Sequence, residues 1–172
     1  LTFGGTDQNN FTQKFYKVIK QICKLKGIKI FVVTGEGYSG LEDFGKELSS
    51  EAVEDVEFIH KTGVMSKIME NVQVAISSNG RTVYELAHMN IPAIVVSHHE
   101  RENNHKFSCL ENGFINLGCY EAGATETRLL SEFTRLISES ECRNNLAAAM
   151  VKFSFVENKN TINNIISSLI NK

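Results

Sequence analysis

The amino-acid sequence predicts an α/β domain in which helices flank an open parallel sheet of about six strands. Short apolar runs recur along the chain with little inside/outside alternation, which is typical of strands buried on both faces of a parallel sheet. Amphipathic stretches separate these runs, and strands that alternate with helices form parallel sheets with right-handed crossovers. The predicted architecture is therefore Rossmann-like.

The predicted strands are short and regularly spaced. They are residues 1–3, 28–33, 56–59, 72–76, 91–96 and 114–117. The single proline, Pro92, falls near the start of one strand, where a missing N–H is tolerated.

The longest predicted helix in the first half of the chain covers residues 11–25, where Phe15, Val18, Ile19 and Ile22 share one face. Shorter helices are predicted at residues 41–48, 64–70, 82–89, 106–112, 129–137, 143–151 and 161–170. Connections are short and no segment repeats, so we expect no domain boundary within the chain.

Composition limits the classes of function. The chain has 172 residues and a net charge of −2, which gives no basic surface for nucleic acid. No apolar run reaches the ~20 residues that span a bilayer, so we expect no membrane span. The four cysteines have no CxxC spacing, which is typical of reduced thiols in a cytoplasmic protein.

The first residues carry a further expectation. An apolar, β-prone segment is followed at once by Gly4 and Gly5, and this strand and turn begin at residue 1 without a methionine. We therefore expect residues 1–172 to be a single domain taken from a longer protein.

The loop after the first predicted strand is one candidate site. Gly4 and Gly5 lack a Cβ, so backbone N–H groups can approach a phosphate, and the following helix N-terminus favours negative charge. Thr6 adds a hydroxyl donor. The alternative is a tight turn in which Asp7 or Asn10 caps the helix.

A second candidate follows the fourth predicted strand. Ser78, Asn79 and Gly80 form a small polar loop ahead of a helix, as in an anion-binding loop. Glu85, one turn into that helix, can accept two hydrogen bonds from a ribose diol. The alternative is a solvated glutamate paired with a basic neighbour on the same helix.

Residues 98–105 contain three histidines and two glutamates, a composition that suggests a metal. No HExxH or paired-cysteine spacing is present, so we expect no metal. We interpret this segment as a polar loop that opens the next helix and presents amides to a ligand. A solvated loop with no ligand is the alternative.

Residues 35–40 read GEGYSG, the GxGxxG pattern of dinucleotide-binding loops. That pattern normally marks the first strand–helix turn and is followed by an acid near the end of the next strand. Here a full strand–helix unit precedes it, and His60 ends the next strand. We therefore favour a tight loop beneath a neighbouring domain, with binding of NAD or FAD as the alternative.

Together these segments resemble a known family. LTFGGTDQNN at residues 1–10 resembles the phosphate loop of spore-coat polysaccharide biosynthesis G-type proteins, which are similar to the UDP-sugar hydrolase of pseudaminic acid synthesis. SSNGRTVYE at 77–85, followed by IPA at 91–93, resembles the nucleotide-binding segment of the lipid II-forming glycosyltransferase of peptidoglycan synthesis. RENNHKF at 101–107 and ENGFINLG at 111–118 also fit the spore-coat group.

The resemblance implies the C-terminal half of a two-domain glycosyltransferase B fold, the half that binds a UDP-sugar without a further cofactor. It implies that the loops at the strand ends divide the ligand between them. Gly4, Gly5 and Thr6 would face the diphosphate; Ser78, Asn79 and Gly80 would line the phosphate pocket; Ile59 and His60 would lie by the uracil; Glu85 would hold the ribose; and Asn103 and Asn104 would reach the sugar.

The resemblance assigns no catalytic residue to this chain. In the hydrolase relative a histidine of the N-terminal domain activates the attacking water, and no residue here matches it. The expected function is that of a UDP-sugar hydrolase or glycosyltransferase in surface polysaccharide or nonulosonic acid biosynthesis, inactive without its N-terminal domain. A non-catalytic nucleotide-sugar-binding module and an NAD-binding fragment are the alternatives.

Overall fold

In the computed structural model, which describes residues 1–50, 55–153 and 155–170, helices and strands alternate along the chain. The strands are β1 (Ile30–Thr34), β2 (Val56–His60), β3 (Ala75–Ser78), β4 (Ala93–Ser97) and β5 (Phe114–Cys119). The helices are α1 (Phe11–Lys26), α2 (Leu41–Ser50), α3 (Met65–Met69), α4 (Thr82–His88), α5 (Glu100–Asn103), a 3₁₀-helix (Leu110–Asn112), α6 (Ala124–Ser138), α7 (Ser140–Met150) and α8 (Phe155–Ile170). The predicted α/β class is confirmed.

All strand pairs are parallel, and residues 1–3 join two ladders into one sheet. One ladder has the order β1-β2 and the other the order β3-β4-β5. Thr2 forms parallel bridges to Val33 of β1 and to Ser77 of β3. Across the sheet the order is therefore β2, β1, residues 1–3, β3, β4, β5. Counted along the chain this is 3-2-1-4-5-6, the doubly wound order of Rossmann-like sheets.

The prediction of a full first strand is wrong, and the strands number five among the described residues rather than about six. The Thr2 N–H donates to the carbonyl of Ile76 at 3.0 Å, and the Val33 N–H donates to that of Leu1 at 2.9 Å. Gly4 then turns the chain at a φ of 80°, a left-handed conformation that glycine adopts readily. Regular pairing is therefore limited to the bridges at Thr2.

Helices cover both faces of the sheet, as the uniformly apolar strands predict. On one face, α1 and α6 bury a cluster that includes Phe11, Phe15, Ile19, Leu129, Phe133 and Leu136. On the other face, α3, α4 and α7 bury a second cluster that includes Met69, Val83, Leu86 and Met150. Every residue of β4 is buried between them.

The predicted helix at residues 106–112 is wrong. The chain forms α5 before this segment and only the 3₁₀-helix at its end. Ser108 is buried, and its hydroxyl donates to the side-chain oxygen of Asn79 at 2.7 Å. The side chain of Asn112 donates to the carbonyl of Phe107 at 2.9 Å. Such bonds compete with the helical ladder and favour an irregular loop.

Residues 157–170 of α8 are exposed and belong to neither core cluster. None of the helices within the described ranges combines the length and the apolar character needed to cross a bilayer.

A buried carboxylate starts α1. Asn10 precedes the helix in a left-handed conformation, with a φ of 51°, and its side chain makes no cap bond. The two carboxylate oxygens of Asp7 instead accept the N–H groups of Phe11 and Thr12, both at 2.8 Å. Asp7 is therefore the capping residue of the two that the sequence left open.

We expect Asp7→Ala to lower the free energy of unfolding by about 2–3 kcal/mol, because it removes the cap and leaves two buried N–H groups without an acceptor. Urea denaturation followed by circular dichroism measures this change. Asp43→Ala, at an exposed position in the first turn of α2, is the matched control and should change stability by less than about 1 kcal/mol. Equal effects of the two substitutions would contradict the capping role.

Candidate functional site

The sheet order creates a crevice between the loops that follow residues 1–3 and β3. These neighbours in the sheet lead to helices on opposite faces, because the chain order reverses between them. In doubly wound sheets, ligands bind at this switch point, outside the carboxyl ends of the strands. Most of the binding residues that the sequence predicted lie at the carboxyl ends of strands or in the segments that follow them: Gly4, Gly5, Thr6, Asn79 and Gly80 in loops, Ile59, His60 and Ser78 at the ends of β2 and β3, and Asn103 and Asn104 at the end of α5. Glu85 lies one turn into α4.

The first wall of the crevice is the loop Gly4-Gly5-Thr6. All three residues are exposed, whereas Asp7 beside them is buried. Within the described part of the chain, their backbone N–H groups donate to no protein acceptor. A Cβ added to Gly5 would meet nothing within 4 Å. The loop thus presents free donors to open space, while the first donors of α1 are already bonded to Asp7.

Residues 35–40 pack directly on this loop. A Cβ on Gly35 would lie 2.5 Å from the Cα of Gly5, and one on Gly37 would lie 2.8 Å from the Thr6 methyl group. The Gly37 N–H donates to the carbonyl of Gly5 at 3.0 Å. The glycines of the GxGxxG pattern therefore permit contact between two backbone segments of the protein. This packing role argues against the dinucleotide-binding alternative.

Tyr38 adds a hydrogen bond between residues 35–40 and the segment that follows the Gly4–Thr6 loop. Its hydroxyl donates to the side-chain oxygen of Asn10 at 2.7 Å. Burial raises the pKa of Tyr38 to about 12, and the nearby carboxylates of Asp7, Glu47 and Asp43 also raise it. The hydroxyl therefore keeps its proton at neutral pH and remains a donor to Asn10.

The second wall is the turn after β3. Ser78 is buried, and Gly80 is partly exposed. Asn79 is fully buried; its amide donates to the carbonyls of Glu102 at 2.9 Å and His105 at 3.2 Å, and its oxygen accepts from Ser108. The Asn79 side chain therefore anchors the neighbouring loop, and only the backbone of this residue can line a pocket.

Residues 98–105 form the third wall. The ring of His98 stacks on Phe11 with centroids 4.4 Å apart, and its carbonyl accepts the side-chain amide of Asn9 at 3.1 Å. The side chains of Asn103 and Asn104, at the end of α5, are partly buried and exposed, respectively. Among the described residues, no three His, Cys, Asp or Glu side chains are grouped closely enough to hold a metal.

The end of β2, at the border of the sheet beyond β1, contains two further predicted residues. Ile59 and His60 are both partly exposed. The Nδ1 atom of His60 lies 3.1 Å from the hydroxyl of the buried Thr34, which fixes the orientation of the ring. Lys61 follows in a left-handed conformation and pairs with Glu36 at 2.7 Å. This ion pair links the loop after β2 to residues 35–40.

Glu85 is exposed in the first turn of α4. Its carboxylate makes no hydrogen bond or ion pair with the described residues, so it is available to a ligand. The fold thus leaves Glu85 exposed and unpaired among the described residues. In contrast, Asn79, three residues before α4 begins at Thr82, forms internal hydrogen bonds.

A separate apolar cavity of about 290 Å³ lies at the opposite edge of the sheet. It is lined by residues at the amino ends of β1 and β3, such as Ile30 and Ala75. This position lies away from the strand ends where doubly wound sheets bind ligands, and the free loop amides are not among its lining groups.

Sequence reasoning missed two residues of this edge. Glu102 contacts both His98 and Asn79, and Asn9 ties the first wall to the third. Both lie inside segments that the sequence marked as candidate loops, but no pattern within a loop shows which side chain faces another loop. Their roles follow only from the packing of strands that are distant in sequence.

Fold and site together define a doubly wound α/β domain that offers free backbone donors at its switch point. The profile of the glycosyltransferase family 28 C-terminal domain matches residues 1–163. The chain therefore belongs to this family and is a glycosyltransferase-like, nucleotide-sugar-binding domain with the architecture of the C-terminal half of a glycosyltransferase B fold. The predicted resemblance is confirmed at this level, and the narrower spore-coat and hydrolase assignment stays a prediction. Searches of curated proteins and of solved structures found no match.

We expect Gly35→Ala to lower the free energy of unfolding by about 1–3 kcal/mol, because the new methyl group overlaps the backbone of Gly5. Gly45→Ala in α2 is the control. Its added Cβ would meet nothing within 4 Å, and alanine in a helix should stabilise by about 0.5–1 kcal/mol. Denaturant unfolding measures both values. A neutral Gly35→Ala would show that the two loops separate easily.

Proposed function

We propose that this chain is the UDP-sugar-binding domain of a UDP-sugar hydrolase or glycosyltransferase in surface polysaccharide or nonulosonic acid biosynthesis. The observation that carries the proposal is the set of free N–H groups in Gly4, Gly5 and Thr6 at the switch point of the sheet. Backbone donors in such a loop suit the oxygens of a diphosphate. Membership in the family restricts the ligand class to nucleotide sugars.

In this proposal the diphosphate lies between the Gly4–Thr6 loop and the turn at Ser78–Gly80. Cleavage of the bond between sugar and diphosphate places negative charge on the leaving UDP. Preorganised N–H donors stabilise such developing charge more than they stabilise the ground state. The loops of this chain would therefore promote departure of UDP, whichever group attacks the sugar.

The nucleoside would extend from the diphosphate across α4 and β2. Glu85 is exposed and unpaired, so its two oxygens can accept hydrogen bonds from both ribose hydroxyls. The uracil would lie at Ile59 and His60, where backbone atoms can read its edge. Asn103 and Asn104 would be directed toward the sugar.

The attacking group and its base would come from an N-terminal domain of the same protein. A glycosyl donor bound at a crevice exposes the far side of its sugar, where water or an acceptor hydroxyl must approach. We expect the protein to act in the cytoplasm, where nucleotide sugars are used and thiols stay reduced. Its four cysteines are unpaired, in agreement with this expectation.

Thermal unfolding with millimolar UDP, UDP-N-acetylglucosamine, CMP and NAD in parallel tests the ligand class. A ligand at about 100 times its Kd stabilises by about 2.7 kcal/mol, which should raise Tm by roughly 5–10 °C for a domain of this size. We expect a shift with the UDP compounds only. Gly5→Val, which has room for its side chain, should keep a native circular dichroism spectrum and lose the shift. A response to NAD alone would refute the proposal.

We expect Glu85→Ala to weaken UDP binding by roughly 1.5–3 kcal/mol, the scale of hydrogen bonds to a charged group. Isothermal titration calorimetry measures this loss. Glu70→Ala is the control, because Glu70 is also an exposed glutamate but directly follows α3, outside the crevice loops. Unchanged affinity in the Glu85 variant would remove this residue from the site.

A further inference from the structure

Within the described part of the chain, only one oxygen of the Glu102 carboxylate forms a hydrogen bond. Its Oε2 atom accepts the backbone N–H of His98 at 2.6 Å. Its Oε1 atom accepts no hydrogen bond from the described residues. A Cβ built on Gly80 would lie 3.6 Å from this oxygen and 3.6 Å from the hydroxyl of Ser78. The free oxygen therefore lies close to Gly80, in the turn that follows β3.

The backbone of Glu102 is held from several sides, and Oε2 fixes its side chain through the bond to His98. The Glu102 N–H donates to the ring of His99, and the Glu102 carbonyl accepts the amide of Asn79. The ring of His105 bonds to the carbonyl of Asn79 at 3.1 Å, which closes the loop on the turn after β3. A group held in this way loses little conformational freedom when a ligand binds, so it can contribute to selectivity.

Capping of α5 explains only half of this arrangement. His99 precedes the helix and accepts the N–H of Glu102, while Oε2 of Glu102 returns to the N–H of His98. This reciprocal pair needs one carboxylate oxygen, and glutamine would serve equally well in it. The negative charge and the second oxygen have no structural partner among the described residues.

A carboxylate at Gly80 repels a diphosphate and attracts a hydroxyl donor. Two like charges a few ångströms apart in a partly dry crevice oppose binding, whereas an ionised oxygen makes a strong bond to an O–H group. We propose that Oε1 of Glu102 accepts a hydroxyl of the donor sugar and so marks where the diphosphate ends and the sugar begins. This inference rests on the proposed function and adds a residue that determines specificity for the sugar.

The sugar would then lie between Gly80 and the end of α5. Ser78 offers its hydroxyl on the same side of Gly80 as Glu102, so the pair presents one donor and one acceptor to vicinal hydroxyls. The diphosphate would lie on the other side of the Ser78–Gly80 turn, against the Gly4–Thr6 loop. Both oxygens of Asp7 beside that loop are bonded to α1, so they do not oppose the diphosphate directly.

Glu102→Gln tests this role because it keeps an oxygen for the N–H of His98 and replaces the free oxygen with an NH₂ group. We expect its affinity for UDP-N-acetylglucosamine to fall about tenfold or more. Its affinity for UDP should stay within about threefold of the parent value or increase, because a negative charge near the diphosphate is removed. Calorimetry with the two ligands gives the ratio directly.

The control is Glu70→Gln, the same chemical change at an exposed position directly after α3 and outside the crevice loops, which should leave both affinities unchanged. A purely structural role for Glu102 would lower both affinities of Glu102→Gln by the same factor, and that result overturns the inference. So does a parent protein that binds UDP-N-acetylglucosamine no more tightly than UDP. A parent protein that binds neither ligand refutes the proposed function itself.

Discussion

Thr2 occupies the position on which the rest of the sheet depends. β1 and β3 do not pair with each other, and the bridges of Thr2 to Val33 and Ser77 are the link between the two ladders. Because Thr2 lies between β1 and β3 in the sheet, the loop that follows it emerges between the loops of β1 and β3. The free amides of Gly4, Gly5 and Thr6 therefore lie at the switch point as a direct result of backbone pairing.

Two kinds of contact hold the walls of the crevice. On one side, Gly35 and Gly37 allow backbone to approach backbone, so the Gly4–Thr6 loop rests on a firm base without side chains in between. On the other side, the side-chain amide of Asn79 donates to the carbonyls of Glu102 and His105. These bonds hold the loop after α5 against the turn after β3. Glycines bring two loops together, and an amide fastens two others, so the proposed ligand would meet preorganised surfaces on both sides.

Local geometry, and not net charge, equips this domain for an anionic ligand. The chain carries a net charge of −2, and Glu85 and Glu102 add negative charge near the crevice itself. Backbone N–H groups compensate without a basic side chain, because they are fixed by the fold and aimed at one place. In the proposed binding mode the carboxylates would accept hydroxyl groups, which a nucleotide sugar offers on both sides of its diphosphate.

The sequence by itself determined the α/β class, most strands to within a few residues, and the loops at which a ligand would be sought. It could do so because buried parallel strands and amphipathic helices leave periodic patterns that depend on near neighbours along the chain. Tertiary structure alone decided that residues 1–3 form a bridge rather than a strand, that residues 106–112 are not helical, and that the side chain of Asn79 faces inward. These outcomes depend on hydrogen bonds between residues more than 20 positions apart, such as those of Asn79 with Glu102 and Ser108, and no local pattern records such partners.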